Sequence, residues 1–221
     1  MNILDYIVPL FKDEDESSFI GSAFFIDNYL VTARHVVNSC HVYYLRTGND
    51  YVKLNPYQWF GYGGIPLSSY KWDDVIAYPL EELKSPLKLT LDETDGIDLM
   101  QLVCWQQSSR GVQQIECLCH LSPELPSDSK YFSFITNPRI THGSSGCPIF
   151  KEGKVYGMII MGCDKAEIEG EWTASFTKEE LEQIRTIKEN MCIAIRASAI
   201  LRYIERMREE IRAFNKIFKH N

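Results

Sequence analysis

The segment Thr141-His-Gly-Ser-Ser-Gly-Cys-Pro-Ile-Phe150 decides how this sequence is interpreted. Ser145 stands there among small residues, which let the backbone turn tightly. Such a turn leaves the amides of Gly143 and Ser145 free to point at a developing oxyanion. The near-apolar run Val155–Cys163 follows and predicts a buried strand. The segment therefore indicates a serine nucleophile presented beside an oxyanion hole.

A serine hydroxyl is a weak nucleophile and needs an adjacent base, which the sequence supplies upstream. Gly21-Ser-Ala-Phe-Phe-Ile26 predicts one strand, and Asp27-Asn28 predicts the turn that reverses it. Leu30-Val-Thr-Ala-Arg-His-Val-Val37 predicts a second strand that ends at His35. A neutral histidine can take the serine proton as general base. The alternative for His35 is a histidine satisfied within the core.

A third segment, Trp72-Asp-Asp-Val-Ile-Ala-Tyr-Pro-Leu80, places two carboxylates before an apolar run. A buried carboxylate would fix the tautomer of the histidine and stabilise its imidazolium. Asp74 is the favoured residue, while Asp73 directly precedes it and Asp98 also begins an apolar strand. Choosing Asp98 would leave too few residues before the nucleophile for the strands predicted there. All three aspartates stay open at this point.

The order of the three residues along the chain separates families of hydrolases. The order is His35, Asp74, Ser145. An α/β-hydrolase has the order Ser, Asp, His and a G-x-S-x-G turn, whereas Gly146-Cys147 follows Ser145 here. Subtilisin-like enzymes have the order Asp, His, Ser. Both of these folds are therefore excluded.

The sequence resembles the trypsin/chymotrypsin-like serine peptidases, and within them the compact bacterial HtrA-like branch. Thr32-Ala-Arg-His35 is similar to the family's TAAH motif, and Gly143-Ser-Ser-Gly-Cys-Pro148 is similar to GDSGGP. Asp74-Val-Ile-Ala-Tyr78 resembles the strand that carries the family's aspartate, and Cys192–Ile200 resembles the last strand before the C-terminal helix. The resemblance implies two antiparallel six-stranded β-barrels with the triad in the cleft between them, and hydrolysis of peptide bonds.

Strand patterns predict the same fold class, which is mainly β. Short segments rich in Val, Ile, Tyr and Phe are bounded by Gly, Asn, Asp or Pro, as in sandwiches and barrels. The predicted strands are Tyr6–Phe11, Ser22–Ile26, Leu30–Ala33, His41–Leu45, Val75–Pro79, Leu99–Trp105, Gln114–His120, Phe132–Thr136, Cys147–Phe150, Val155–Met161 and Met191–Ile195.

Three regions are expected along the chain. Residues 1–82 would form the barrel that carries the histidine and the aspartate, and residues 83–196 the barrel that carries the serine. A capping-box pattern at Thr177-Lys-Glu-Glu180 predicts a helical insertion at about 176–190. Either this insertion restricts access to the site, or it is a neutral surface insertion. Residues 197–221 predict a C-terminal amphipathic helix, because apolar residues recur there at steps of four and three.

The apolar stripe of this C-terminal helix has two interpretations. It docks on the protein's own barrel, or it partly docks on an activating or regulatory protein. Its segment carries six Lys and Arg against three Glu within a chain of net charge −7. Such a basic helix could meet an acidic partner, although a run of charge is more often a solvated face.

Composition excludes several classes of protein. The chain has 221 residues, of which 45% are hydrophobic, enough for a sizeable core. Its acidic balance argues against a nucleic-acid or membrane-surface binder. We expect no membrane span and no signal peptide, because the first residues lack a basic start and an apolar core. The expected compartment is the cytoplasm.

Seven cysteines make no disulfide framework, so free thiols in a reducing setting are expected. Cys117-x-Cys119-His120 lacks the spacer of usual zinc sites. We interpret it as buried thiols on a strand, with no metal and no cofactor.

The resemblance also assigns the pocket that would bind the substrate side chain. Arg139 falls where the acidic residue of trypsin lies, so cleavage after Lys or Arg is disfavoured. Arg139 either points away from an apolar pocket or points inward and favours Asp or Glu. The pocket would be formed by Arg139, Ile140, Ile160, Met161 and Gly162. Ser144 replaces an aspartate that pairs with a new N-terminus in the secreted enzymes, so activation without that cleavage is expected.

Three functions follow as hypotheses. The first is a selective, regulated cytoplasmic serine endopeptidase that acts on a protein or peptide substrate. The second is a protease-like module that binds peptides without cleaving them, and the third is a protease that is latent until a partner binds. The resemblance also implies a regulated bacterial pathway, such as a defence system.

Overall fold

The protein is described from a computed structural model. The structure describes residues 2–37, 43–47, 50–54, 74–80, 85–91, 99–122, 129–140, 143–161, 178 and 191–218. Thirteen strands, three short 3₁₀ helices and one long α-helix lie in this part of the chain.

The N-terminal half forms one six-stranded antiparallel sheet with the strand order β5-β4-β1-β2-β3-β6. Its strands are β1 (Ile7–Phe11), β2 (Phe19–Ile26), β3 (Tyr29–Thr32), β4 (Tyr43–Thr47), β5 (Asp50–Leu54) and β6 (Ile76–Pro79). The turn between β2 and β3 has Asp27 at φ +48°, a conformation that Asp tolerates better than most residues.

The C-terminal half forms a second sheet that closes on itself. Its strands are β7 (Lys88–Leu89), β8 (Met100–Ser108), β9 (Gly111–Ser122), β10 (Tyr131–Asn137), β11 (Pro148–Lys151), β12 (Lys154–Met161) and β13 (Cys192–Arg196). The order is β11-β8-β9-β10-β13-β12-β7, and pairing of β11 with β12 completes a six-stranded ring. Strand β7 is added outside the ring, parallel to β12.

The mainly β class is confirmed, and the chain forms two β-sheet units as expected, with one correction. The prediction of two closed six-stranded barrels is wrong for the part of the chain described here. Only the second sheet closes, whereas the first is a curled half-barrel that ends at β5 and β6. The segment between these two end strands lies outside the described residues, so no described strand bridges them.

Strand positions follow the sequence patterns closely. Each of the eleven predicted strands overlaps an observed one, with ends that differ by a few residues. Strands β5 and β7 were not predicted, because β5 is largely exposed and β7 has only two residues. The predicted insertion at about 176–190 lies outside the described residues except for Lys178, which is helical.

Two hydrophobic cores hold the sheets together. One fills the closed barrel, around Phe134, Ile149 and Cys147. The other joins the first sheet, the facing residues of β12 and β13, and the C-terminal helix in one cluster. Because this second core is shared, the two sheets cannot separate without exposing apolar surface to water.

The helix α1 (Ala197–Phe218) continues directly from β13 and crosses to the first sheet. Ile200, Ile204 and Met207 are buried in the shared core. Arg208 donates a 3.0 Å hydrogen bond to the hydroxyl of Tyr29 on β3 and lies 5.0 Å from the centre of its ring. The first part of the apolar stripe therefore docks on the protein itself. The side chains of Ile211, Phe214 and Phe218 lie outside what the structure describes.

Within the described residues, no helix is both long enough and apolar enough to cross a membrane. The one long helix is amphipathic, with exposed charged residues such as Glu205 and Arg206 beside its buried stripe.

Replacing Ile204 with alanine tests the docking of α1. Ile204 is 2% exposed, so Ile204→Ala should lower the free energy of unfolding by about 2–4 kcal/mol through lost burial and a cavity. Glu205→Ala is the matched control, because Glu205 is the exposed neighbour, and it should change stability by less than about 0.5 kcal/mol. Equal effects of the two variants in urea unfolding would show that the helix is not docked as described.

Candidate active site

His35 and Asp74 are brought together by the pairing of β3 with β6. Thr32 pairs with Ile76 at the end of this ladder. His35 follows three residues after Thr32, in a short 3₁₀ helix over Arg34–Val37, and Asp74 comes two residues before Ile76. The two side chains therefore leave neighbouring strands at the same edge of the sheet.

Both oxygens of the Asp74 carboxylate are bonded to His35. Asp74 Oδ2 lies 2.5 Å from His35 Nδ1, and the backbone N–H of His35 donates to Oδ1 at 2.9 Å. Asp74 is only 1% exposed, whereas the side chain of His35 is 25% exposed. An ionised carboxylate can only accept hydrogen bonds, so Nδ1 carries the proton and Nε2 is left as the basic nitrogen. This is the tautomer that a general base requires.

Ser145 lies on a tight turn that leads into β11. The N–H of Cys147 donates to the carbonyl of Ser144 at 3.1 Å, and the N–H of Gly146 donates to the carbonyl of Ile159 at 2.8 Å. Gly146 has φ +87°, and a Cβ built there would lie 1.9 Å from the carbonyl oxygen of Ser22. Any side chain at this position would clash with backbone, so the turn requires glycine.

The nucleophile turn packs directly on the strand that precedes the histidine. The N–H of Ser22 on β2 donates to the carbonyl of Ser145 at 2.9 Å. A Cβ built on Gly21 would lie 3.2 Å from that same carbonyl oxygen and 2.8 Å from the side chain of Val36. Gly21 is thus in close contact with the residue after His35 on one side and with Ser145 on the other. The two predicted motifs therefore lie side by side.

The hydroxyl of Ser145 and two backbone N–H groups beside it have no hydrogen-bond partner among the described residues. Ser145 is partly exposed, and its hydroxyl makes no hydrogen bond to a described residue. The backbone N–H groups of Gly143 and Ser145 likewise have no partner among the described residues. Gly143 has φ +97° and packs under the ring of Phe19. Catalytic hydrogen bonds are often long or absent before a substrate binds.

The residues predicted to form the substrate pocket have different surroundings. Arg139 is exposed on the segment after β10. Ile140, Ile160 and Met161 are each 3% exposed or less. They can form an apolar wall behind a pocket but not its rim. Gly162 lies outside the described residues, and so do the rival aspartates Asp73 and Asp98.

The cysteines of the second barrel form a cluster of buried thiols. Cys104, Cys117, Cys119 and Cys147 are free and buried. Burial and the neighbouring thiols Cys117 and Cys104 raise the pKa of Cys119, so it stays protonated. The exposed His120 lies on the opposite face of β9 from Cys117 and Cys119. The buried-thiol interpretation of the Cys117–His120 segment is therefore confirmed.

One cysteine departs from the expected pattern. Cys192 on β13 is disulfide-bonded, to a partner outside the described residues. The expectation that all seven thiols are free is therefore wrong. No cysteine spacing in the sequence marked this residue as one of a pair.

Ser22 and Thr32 also belong to the site's framework, and the sequence analysis did not single them out. Thr32 Oγ1 donates to the carbonyl of Ser22 at 2.6 Å, and Ser22 Oγ donates to the carbonyl of Gly143 at 3.1 Å. Both residues are fully buried. The available signal was Ser22 itself, the single polar residue in the otherwise apolar β2 segment FIGSAFFI.

Comparison with known proteins addresses the fold. No protein-family model and no curated protein sequence matches the chain. Among solved structures, the protease Rv3671c of M. tuberculosis, in an inactive form with serine 343 replaced by alanine, is similar with a TM-score of 0.58. Its identity is 12%, and the match covers 92% of this chain and 86% of that one.

Two further structures are similar at the same level. The HtrA-type protease AlgW, solved with a decapeptide, has a TM-score of 0.58 at 15% identity, over 96% of this chain and 69% of that one. The tobacco etch virus protease, solved with its product, has a TM-score of 0.52 at 10% identity, over 89% and 76%. At such identities the likeness concerns the fold alone. The chain has the chymotrypsin-like protease fold.

Proposed function

We propose that the protein is a serine endopeptidase in which Ser145 is the nucleophile, His35 the general acid and base, and Asp74 the orienting carboxylate. The observation that carries the proposal is the bonding of both carboxylate oxygens of a buried aspartate to one histidine. A histidine that only packs in the core gains nothing from a buried carboxylate beside it. A histidine that takes a proton during the reaction does gain, because the carboxylate stabilises the imidazolium.

The first half of the reaction forms an acyl-enzyme. Ser145 Oγ attacks the carbonyl carbon of the scissile peptide bond while its proton passes to Nε2 of His35. The oxyanion of the tetrahedral intermediate accepts hydrogen bonds from the N–H groups of Gly143 and Ser145. The imidazolium of His35 then gives the proton to the leaving amine as the C–N bond breaks. Asp74 stays ionised and stabilises the imidazolium throughout.

The second half releases the acid product. Water attacks the acyl carbon and gives a proton to Nε2 of His35, which returns it to Ser145 Oγ as the ester bond breaks. The 25% exposure of the His35 side chain fits this step, because the base must reach water while Asp74 stays buried.

A selective endopeptidase of the HtrA-like branch is the finer form of this proposal. It is supported by the motifs Thr32–His35 and Gly143–Pro148 and by the likeness in fold to AlgW. AlgW was solved with a decapeptide, so a protein or peptide is also the substrate class we propose here.

The nucleophile and the base can be tested with a fluorophosphonate probe, which forms a bond to an activated serine. The purified wild type should be labelled. Ser145→Ala should abolish labelling because the attacking oxygen is gone, and His35→Ala should slow it by about 10³-fold or more. Ser17→Ala, at an exposed serine, is the control and should label like the wild type. Labelling that survives Ser145→Ala would refute the assignment.

Replacing Asp74 with asparagine separates it from its two rivals. Asp74→Asn keeps the shape of the side chain, but it would favour the wrong tautomer of His35. Labelling and peptide hydrolysis should slow by about 10³–10⁴-fold. Asp73→Asn and Asp98→Asn are matched controls and should stay within about threefold of wild type. A large loss in either control, with little loss in Asp74→Asn, would move the role to that aspartate.

The preference for the residue before the cleaved bond can be read from a peptide library. Because Ile140, Ile160 and Met161 are apolar and Arg139 is exposed, we expect cleavage after Leu, Met or Phe. A peak at Lys or Arg would contradict the pocket assignment. A peak at Asp or Glu that is lost in Arg139→Gln would show that the arginine points inward when substrate binds.

Latency until a partner binds is the second candidate, and the basic end of α1 favours it. Arg212 and Lys216 are exposed there, beyond the docked part of the helix, so a regulatory protein with an acidic surface could bind them. A folded wild type that is labelled only after a partner is added would support this candidate over a constitutive protease.

A further inference from the structure

We propose that Ser22 is a positioning residue, whose side chain holds the nucleophile turn in its reactive geometry. This inference rests on the proposed function, because it concerns how Ser145 and its neighbouring amides are presented to a substrate. Ser22 itself would touch neither the substrate nor the reacting atoms.

Every polar atom of Ser22 has a partner in a different part of the structure. Its N–H donates to the carbonyl of Ser145 at 2.9 Å, and its carbonyl accepts from Thr32 Oγ1 at 2.6 Å. Its hydroxyl lies 3.1 Å from the carbonyl of Gly143 and 3.3 Å from the backbone nitrogen of Trp105. The residue is completely buried, so water cannot replace any of these bonds.

The direction of the two hydroxyl bonds follows from chemistry. A backbone N–H can only donate and a carbonyl can only accept. The hydroxyl of Ser22 therefore accepts from Trp105 on β8 and donates its single proton to Gly143. Because Trp105 uses up an acceptor site of the hydroxyl, the proton is directed towards the turn. The contact with Trp105 in the second barrel thus orients the hydroxyl of Ser22, a residue of the first sheet, towards the turn that carries Ser145.

This bond bears on the oxyanion hole. The hydroxyl fixes the peptide that joins Gly143 to Ser144 from its carbonyl side. The peptide group is planar, so a rotation of this peptide would change ψ of Gly143 and φ of Ser144, and it would displace the next peptide, which carries the N–H of Ser145. That N–H is one of the two proposed oxyanion donors, so the bond from Ser22 affects where this donor points. A misplacement of about 1 Å can cost about 10²-fold in rate.

Ser22 also relates the turn to the base. Thr32 belongs to β3, three residues before His35, and bonds the carbonyl of Ser22. Ser22 is therefore bonded to β3, the strand before His35, and also to the carbonyls of Gly143 and Ser145 in the turn. Only two of these bonds use the side chain of Ser22: its hydroxyl donates to the carbonyl of Gly143 and accepts from the backbone N–H of Trp105. Replacing the side chain therefore removes these two bonds and keeps the backbone bonds.

The test compares Ser22→Ala with Ser133→Ala. Ser133 is also completely buried, and its hydroxyl also donates to a backbone carbonyl, that of Ser122 at 3.1 Å, in β10 of the second barrel. The two variants lose the same atom. Ser22→Ala should slow fluorophosphonate labelling by about 10- to 100-fold, whereas Ser133→Ala should stay within about threefold of wild type. Equal rates in the two variants would overturn the proposal.

A second measurement does not depend on activity. Amide hydrogen exchange at Gly146 and Cys147 should be faster in Ser22→Ala than in Ser133→Ala, because the N–H of Gly146 bonds the turn to Ile159 on β12 and the N–H of Cys147 bonds Ser144 within the turn. If the wild type is not labelled, the proposed function fails, and exchange alone decides the role of Ser22. Unchanged exchange at both amides would overturn that role even in an active enzyme. If Ser22→Ala does not fold, Ser22→Cys keeps a group of similar size with a weaker donor and should give the same ranking.

Discussion

The site depends first on the burial of a single carboxylate. Asp74 is 1% exposed, and an isolated charge there would be strongly destabilising. It is tolerated because the backbone and the ring of His35 each bond one of its oxygens. Removing either partner would leave a buried charge uncompensated, so the histidine and the aspartate form one structural unit. The ladder between β3 and β6 accordingly ends at Thr32 and Ile76, next to His35 and Asp74.

The second requirement is a fixed relation between the two sheets. His35 follows a strand of the first sheet and Ser145 precedes a strand of the second, and the proposed function needs the two side chains together. Three connections provide this fixed relation. The shared hydrophobic core joins β12, β13 and α1 to the first sheet. Trp105 on β8 donates through its indole N–H to the carbonyl of Ile7 on β1 at 2.9 Å. Arg46 on β4 lies over the rings of Phe11 and Trp105, so a cation covers the junction from outside.

The sequence predicted most of the strands and the pairing of His35 with Asp74, for identifiable reasons. Turn residues and β-branched runs mark short strands locally, and the motif around His35 marked this residue as the candidate base. Sequence separation alone also favoured Asp74 over Asp98. The open edge of the first sheet was not predicted, because the resemblance implied two closed barrels. Ser22 was missed because its role consists entirely of contacts with Trp105, Gly143 and Ser145, which are distant along the chain.

Two further features could not be reached from one sequence. The disulfide of Cys192 is one of them, because no cysteine spacing in the sequence marked this residue. The sequence left two interpretations of the apolar stripe of α1, docking on the protein itself or on a regulatory protein. Periodicity indicates that a face is buried but not what covers it. The hydrogen bond from Arg208 to Tyr29 identifies the protein itself as the partner of that part of the helix.

The most direct test of the central claim, that His35, Asp74 and Ser145 act as one hydrolytic site, is a crystal structure of the protein after reaction with a peptidyl phosphonate. The account predicts phosphorus bonded to Ser145 Oγ, with one phosphoryl oxygen within hydrogen-bond distance of the N–H groups of Gly143 and Ser145. The bonds between His35 and Asp74 should be retained, and His35 Nε2 should face the adduct. An adduct on another residue, or an unmodified Ser145 with His35 turned away from it, would contradict the account.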